Sequence, residues 1–241
     1  MGRMFKFTGI AEEITWQPTD VAGCKLWVRS DLAWQDAAKT VPCVNSSLIY
    51  TGEDKSGLGN DVVQATEAKR PVYLTNQING HPAWRFDGID DILVSIDTFS
   101  WPKPCTVYIV LKQISWTNSD FIYDAKGIDA GMGLFQYDAT PKLALHDAVP
   151  LFMTDILSVG TWGIVSSIHN GGSSSIRLNT NTPTLGAAGN NLPGGFTLGR
   201  IGLSDVLYSN IDVVEILGYR AVSDPDDALV MTYFNTRYAI Y

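Results

Sequence analysis

The sequence predicts an all-β chain, two antiparallel sheets stacked on one another, with a short helix at the C-terminal end. Three observations predict it. From Cys105 onward the chain is a succession of short β-branched and aromatic segments, each closed by Gly, Asn, Asp or Pro. Its 241 residues are 45% hydrophobic, 11% aromatic and only 17% charged, which supplies one sizeable core and no bias toward disorder. Firm helix signals occur in one stretch, close to the C-terminus.

Phe5 and Phe7 alternate with polar residues, a lone strand in an N-terminal arm spanning residues 1–19; Pro18 leads into the domain proper, 20–241. A strand without a local hairpin partner must pair elsewhere, so Phe5 and Phe7 are read as anchoring or intersubunit contacts. Residues 105–114 (CTVYIVLKQI) lack polar alternation and read as a strand buried on both faces. Strands follow at 121–124, 133–137 and 142–145, the last two joined by the turn residues Asp138, Ala139, Thr140 and Pro141. Strands 162–169 and 174–178 flank Asn170-Gly171-Gly172, residue types that tolerate positive φ. Residues 179–195, dense in Gly, Asn, Pro and Thr, predict a long surface loop between these and two further strands, 195–198 and 211–219.

Asp224 then supplies a capping carboxylate, Pro225 the first helical position, and Asp226 and Asp227 acids for the first turn. Met231, Phe234, Tyr238 and Tyr241 recur at helical spacing, a face that packs on the sheets.

Lys and Arg total 17 against 25 Asp and Glu, a formal charge of -8, so no basic field exists to hold nucleic acid. Cys24, Cys43 and Cys105 are an odd set at no metal-ligand spacing and read as buried free thiols. No stretch reaches the ~18 apolar residues of a membrane span, which argues against membrane insertion. Residues 1–14 lack the apolar core of a signal peptide, which predicts synthesis and folding in a reducing cytoplasm.

An ordered set of motifs then stands out: Leu26-Trp27, Asp31, Asp54-Lys55-Ser56-Gly57, Gln64, Arg70-Pro71, Asn79-Gly80 and Phe86-Asp87-Gly88. Arg220-Ala221-Val222-Ser223-Asp224 follows near the end, with Tyr233 and Tyr238 in the closing helix. Over residues 20–241 this set resembles the laminin G-like domains of the concanavalin A-like lectin/glucanase superfamily, of the kind found in bacterial and bacteriophage proteins. The resemblance implies a two-sheet antiparallel jelly-roll sandwich. It does not transfer an activity, because one fold hosts many sites.

These residues bear on three chemistries. Asn210-Ile211-Asp212-Val213-Val214-Glu215 resembles the acidic strand of the superfamily's β-glucanases, except that Asn210 stands where the first carboxylate belongs. A retaining glycosidase needs two carboxyl groups, so the chain is expected not to be an enzyme, and Asp212 and Glu215 are read as surface or loop-facing polar residues. The resemblance implies Ca²⁺ at a loop rim; the oxygen-rich cluster Asp54, Asn60 and Asp61 is favoured for it, ahead of Asp87, Asp90 and Asp91. A sugar site needs an exposed aromatic beside amide and carboxylate groups, which Trp116, Asn118 and Asp120 offer in one loop; Trp101 is a second loop aromatic. His81, His146 and His169 are scattered and lack a nucleophile arrangement.

A lectin-like domain with no catalytic set and no export signal is expected to be a bacteriophage virion structural protein: a capsid decoration, head fibre or tail-associated component. Its expected partners are other virion proteins and itself, as a homo-oligomer, trimeric by analogy, with a surface glycan as a further ligand. The alternative expectation is a stand-alone carbohydrate-binding module or lectin that uses calcium.

Overall fold

The computed structural model describes residues 16–126, 131–191, 193–202 and 204–241. Phe5 and Phe7 lie outside the described residues. In chain order the strands are β1 (Cys24–Trp34), β2 (Thr51–Asp54), β3 (Val62–Val63), β4 (Val72–Ile78), β5 (His81–Asp87), β6 (Leu93–Ser95), β7 (Cys105–Gln113) and β8 (Phe121–Asp124). They continue with β9 (Gly133–Gln136), β10 (Leu143–His146), β11 (Pro150–Phe152), β12 (Trp162–His169), β13 (Ser174–Leu178), β14 (Thr184–Gly186), β15 (Thr197–Leu198) and β16 (Asn210–Tyr219). One α-helix, α1 (Asp224–Tyr238), follows them.

All pairings between these strands are antiparallel, and hydrogen bonds link them in the order β11-β10-β9-β8-β15-β6-β3-β2-β1-β16-β7-β12-β13-β14, with β5 beside β16 and β4 beside β5. Two separate sheets were expected; the structure has one continuous sheet rolled on itself. The reason lies in β1, which is long enough to serve both halves: Cys24 to Arg29 pair with β16, and a register shift after Val28 carries Ala33 and Trp34 onto β2. The ends of the roll nearly meet. Thr154 and Thr184 join their hydroxyls at 2.8 Å across the seam between β11 and β14, and Gly186 leaves room there for Leu151.

Strand alternation sorts side chains to the inside or outside of the roll. Inside lie Leu26, Val28, Trp84, Trp101, Val107, Ile109, Leu111, Tyr123, Leu134, Leu145, Phe196 and Ile216, all buried. Gly218 has a packing reason to lack a side chain: a Cβ there would stand 2.2 Å from the Trp101 ring. Trp101, a loop aromatic in the sequence, is therefore a core residue. Cys43 and Cys105 are buried and Cys24 half-buried, all as free thiols.

Calling the β14-to-β1 half the first wall, its outer face presents Trp27, Tyr108, Val110, Ile164, Val214, Leu217 and Tyr219. Helix α1 covers them with Val230, Met231, Tyr233, Phe234 and Tyr238. Its N-cap is Ser223, whose Oγ accepts from the Asp226 N–H, one residue earlier than the capping Asp224 expected from the sequence. Ala239 ends the helix in the left-handed region, φ 51°. Tyr241, expected on the buried helix face, therefore falls beyond the helix and is half exposed. The 179–195 segment is also less of a loop than its composition suggests: β14 lies within it, and Ala188 is fully buried.

Candidate glycan-binding site

The acidic strand comes first, because it carries the question of catalysis. β16 has a bulge between Val213 and Glu215, so Val214 and Glu215 both reach the outer face instead of alternating. Glu215 is 1% exposed under α1, where its carboxylate accepts from the Trp27 indole N–H (2.6 Å), the Tyr233 hydroxyl (2.9 Å) and the Tyr238 hydroxyl (2.5 Å). Burial raises its pKa, while those donors and the nearby Arg29 oppose the rise. Asp212 is 0% exposed and held by Arg85 (2.7 Å) and Lys112 (2.9 Å). Both were expected at the surface; both are sealed, because α1 and two cations cover the face on which they stand.

The oxygen cluster favoured for calcium is a self-satisfied turn. Asp54 accepts from the backbone N–H groups of Trp27, Ser56 and Asn60 and from the Ser56 hydroxyl. Asp61 accepts from the Asp54 N–H through one oxygen and pairs with Lys39 at 2.9 Å through the other. Asn60 donates to the Lys25 carbonyl. An ammonium already in place and carboxylate oxygens already engaged do not fit a divalent cation. Asp87, Asp90 and Asp91 bring one carboxylate oxygen each within 4.8 Å of the others, and no ammonium pairs with them among the described residues, although Asp87 accepts from the N–H groups of Ile89, Asp90 and Asp91 and Asp91 from that of Asp87. Asp91 is raised to about 7, first by burial and then by the charge of Asp87.

Trp116, Asn118 and Asp120 stand in the β7–β8 loop, and an amide bridge at one end of the core holds that loop in place. Gln136 on β9 donates to the Gln113 side chain on β7 (2.7 Å) and to the Ser115 carbonyl (2.8 Å), and its own carbonyl accepts from the Thr117 N–H (3.0 Å). Gln113 in turn donates to the carbonyls of Leu157 and Pro141. Trp116 is half-buried, its indole N–H donating to the Lys142 carbonyl at 3.0 Å. Asn118 is exposed and accepts from the Asp138 N–H at 3.1 Å. Asp120 is half-buried, and burial lifts its carboxyl to about 6 against a hydrogen bond from Thr117. The loop thus sits against the β9–β10 turn, where Asp138 and Lys142 form an exposed ion pair of 3.0 Å.

Beside this loop lies a feature that the sequence reading missed. On the outer face of the second wall, Phe121, Phe135, Tyr137 and Phe152 form a row of neighbouring rings, with His146 edge-on to Phe121 and Phe135. Ile201 and Leu207 pack over the Phe121 end, whereas Phe152 at the other end is 40% exposed. The signal was present as i, i+2 pairs, Phe135 with Tyr137 and Ala144 with His146. It carried no reading of its own, because nothing in the sequence says which face of a strand lacks a cover.

No family model and no curated protein matches the sequence. Solved structures do match its fold. Domain 4 of an extracellular arabinanase from Geobacillus stearothermophilus, solved in complex with arabinotriose, is 13% identical with a TM-score of 0.56, over 88% of this chain and 98% of that one. The binding domain of Paraclostridial Mosquitocidal Protein 1 is 12% identical with a TM-score of 0.58, over 92% of this chain and 53% of that one. A Trypanosoma rangeli sialidase in complex with sialic acid is 12% identical with a TM-score of 0.56; the match covers 90% of this chain but 33% of the sialidase. At such identities the likeness is one of fold: the chain has a lectin-like β fold, built also into domains of carbohydrate-active and binding proteins.

Proposed function

We propose that this chain is a non-catalytic glycan-binding domain of the laminin G-like, jelly-roll type, displayed on a bacteriophage particle. The observation that carries the glycan reading is a loop braced by Gln113 and Gln136 that holds a half-exposed indole, the exposed amide of Asn118 and the carboxylate of Asp120 against the turn of Asp138. Few, well-placed polar groups beside an aromatic surface are what orients a sugar. The arabinotriose complex of a domain with this fold supports the same reading. Asp212 and Glu215 supply no glycosidase pair, since a substrate would have to displace α1 to reach Glu215. Binding to a glycan array and to arabinotriose tests the proposal, with Trp116→Ala expected to lose affinity while the fold survives. Turnover of a β-glucan that Glu215→Gln abolishes would overturn it.

Calcium belongs, on this reading, at Asp87, Asp90 and Asp91. Addition of Ca²⁺ should raise the melting temperature, and Asp90→Asn should remove the rise while Asp61→Asn leaves it.

Particle display is favoured by the ordered motifs of residues 26–88 and by the expected N-terminal arm of residues 1–19. Trp16 packs 5.6 Å from Tyr233, against the closing helix. Light scattering should show a defined homo-oligomer, a trimer by analogy, that deletion of residues 1–14 reduces to monomer, and the truncated protein should no longer occupy particles. Full occupancy without the arm would exclude that attachment.

A further inference from the structure

Resting on the glycan-binding reading, we propose that the site continues from Trp116 onto the outer face of β9–β11, where Tyr137 and Phe152 form a stacking platform for a neutral oligosaccharide. The two rings stack on one another, 5.5 Å apart at 25°, and the buried Phe135 lies 4.9 Å behind Tyr137, so the row presents its open face at Phe152, which is 40% exposed. A ring held from behind loses little freedom when a ligand stacks on it. The platform adjoins the loop directly: the Lys142 carbonyl accepts from both the Trp116 indole (3.0 Å) and the Tyr137 backbone N–H (3.3 Å).

Polar groups rim the rings. Asn118 uses its side-chain oxygen on Asp138, and its side-chain nitrogen makes no hydrogen bond among the described residues. An aromatic face bordered by a spare amide N–H suits the C–H face and hydroxyls of a pyranose or furanose.

Size decides against a protein partner. A standard interface uses about 800 Å² on each side, whereas even fully exposed aromatic side chains offer about 150–250 Å² each, and Tyr137 is already half-buried. Charge decides the class of sugar. Asp120 and Asp138 border the platform, and the cation beside them, Lys142, is held by Asp138. A sialic or uronic acid would meet carboxylates with no free cation among the described residues to offset them.

The test is an array of neutral and sialylated glycans on the full chain, followed by calorimetry with the best neutral hit and with sialyllactose, at low salt. Wild-type protein should bind neutral glycans in preference to sialylated ones. Tyr137→Ala and Phe152→Ala should each weaken binding about five- to tenfold, with the Phe152→Ala urea midpoint unchanged. Wild-type affinity in both variants, alongside loss in Trp116→Ala, would overturn the platform and leave the glycan reading standing. Preference for sialyllactose would overturn the neutral class. An array with no hit would remove the reading on which the inference rests. A dimer that Phe152→Ser dissociates would show instead that a second copy covers the rings.

Discussion

On the outer face of the first wall, Trp27, Tyr108, Leu217 and Tyr219 lie under α1; on the second wall, the row from Phe121 to Phe152 is packed over at one end and open at the other. Both faces carry aromatic residues, and both carry acids nearby. What differs is the cover. Under α1 an acid becomes a structural acceptor: Glu215 is surrounded by three donors, and Asp227 near the helix start accepts from Tyr108 and pairs with Arg177 at 2.8 Å. At the open end, Asp138 stays solvated and Asp120 half-buried, so both remain able to meet a ligand. Residue type therefore says less about function on this fold than the presence of a cover.

Glu215→Ala is the strongest way to break the comparison. It strands the Trp27, Tyr233 and Tyr238 donors, each buried, and should cost about 3 kcal/mol or more in urea unfolding. Glu215→Gln keeps an acceptor and should cost clearly less. If the alanine variant cost no more than a surface substitution, the closed face would not depend on its acid.

The interior supplies a second, slightly smaller effect. Burial pushes His169 down to about 3, and the charges of Lys103 and His146 push the same way. Its folded value lies below the ordinary 6.5, so its contribution is fully present above about pH 6.5 and is lost as pH falls toward 3. Urea midpoints should record a loss of roughly 2–3 kcal/mol by pH 4 that His169→Leu removes.

Asp120, at the open rim, should show the opposite slope. Its folded pKa is raised to about 6, so the fold favours the protonated form and gains stability as pH falls from about 7 toward 4. Asp120→Asn should then be more stable than wild type near pH 8, by about 1 kcal/mol after solvent screening, and equal to it near pH 4. An unchanged difference across that range would mean that Asp120 is as solvated as Asp138.

The smallest effect sharpens the contrast most. Phe152→Ala, on the open face, should change stability by less than about 0.5 kcal/mol, although a buried phenylalanine such as Phe234 should cost about 3–5 kcal/mol when truncated. A large cost at Phe152 would show that its ring is a packing element and not an available surface.

Much of this was legible in the chain. Residues 105–114 read as a strand buried on both faces because they carry almost no polar alternation, and β7 is that strand, with the roll's core on one side and α1 on the other. The first hundred residues were harder: β2, β3 and β6 are too short to show a period and exist only through partners distant in sequence. Asp54, Asn60 and Asp61 looked like ligands because the sequence shows oxygen atoms but not the N–H groups that occupy them. Trp116 was found as a loop aromatic, whereas Tyr137 was missed because its alternation with Phe135 also fits a covered face, and Phe152 because β11, Pro150–Phe152, is too short to show a period.

Local chemistry, then, was determined by the sequence alone: an all-β chain, its turns, the C-terminal helix, free thiols and a net acidic charge. Strand periodicity and turn residues act over a few positions, so they can be read in one dimension. Tertiary structure decided that β1 would join the two halves into one roll, that a bulge would turn Glu215 beneath α1, and that one aromatic face would be covered and the other left partly open. Those outcomes depend on which distant segments pack together, and a residue's burial follows from its partners as much as from its own side chain.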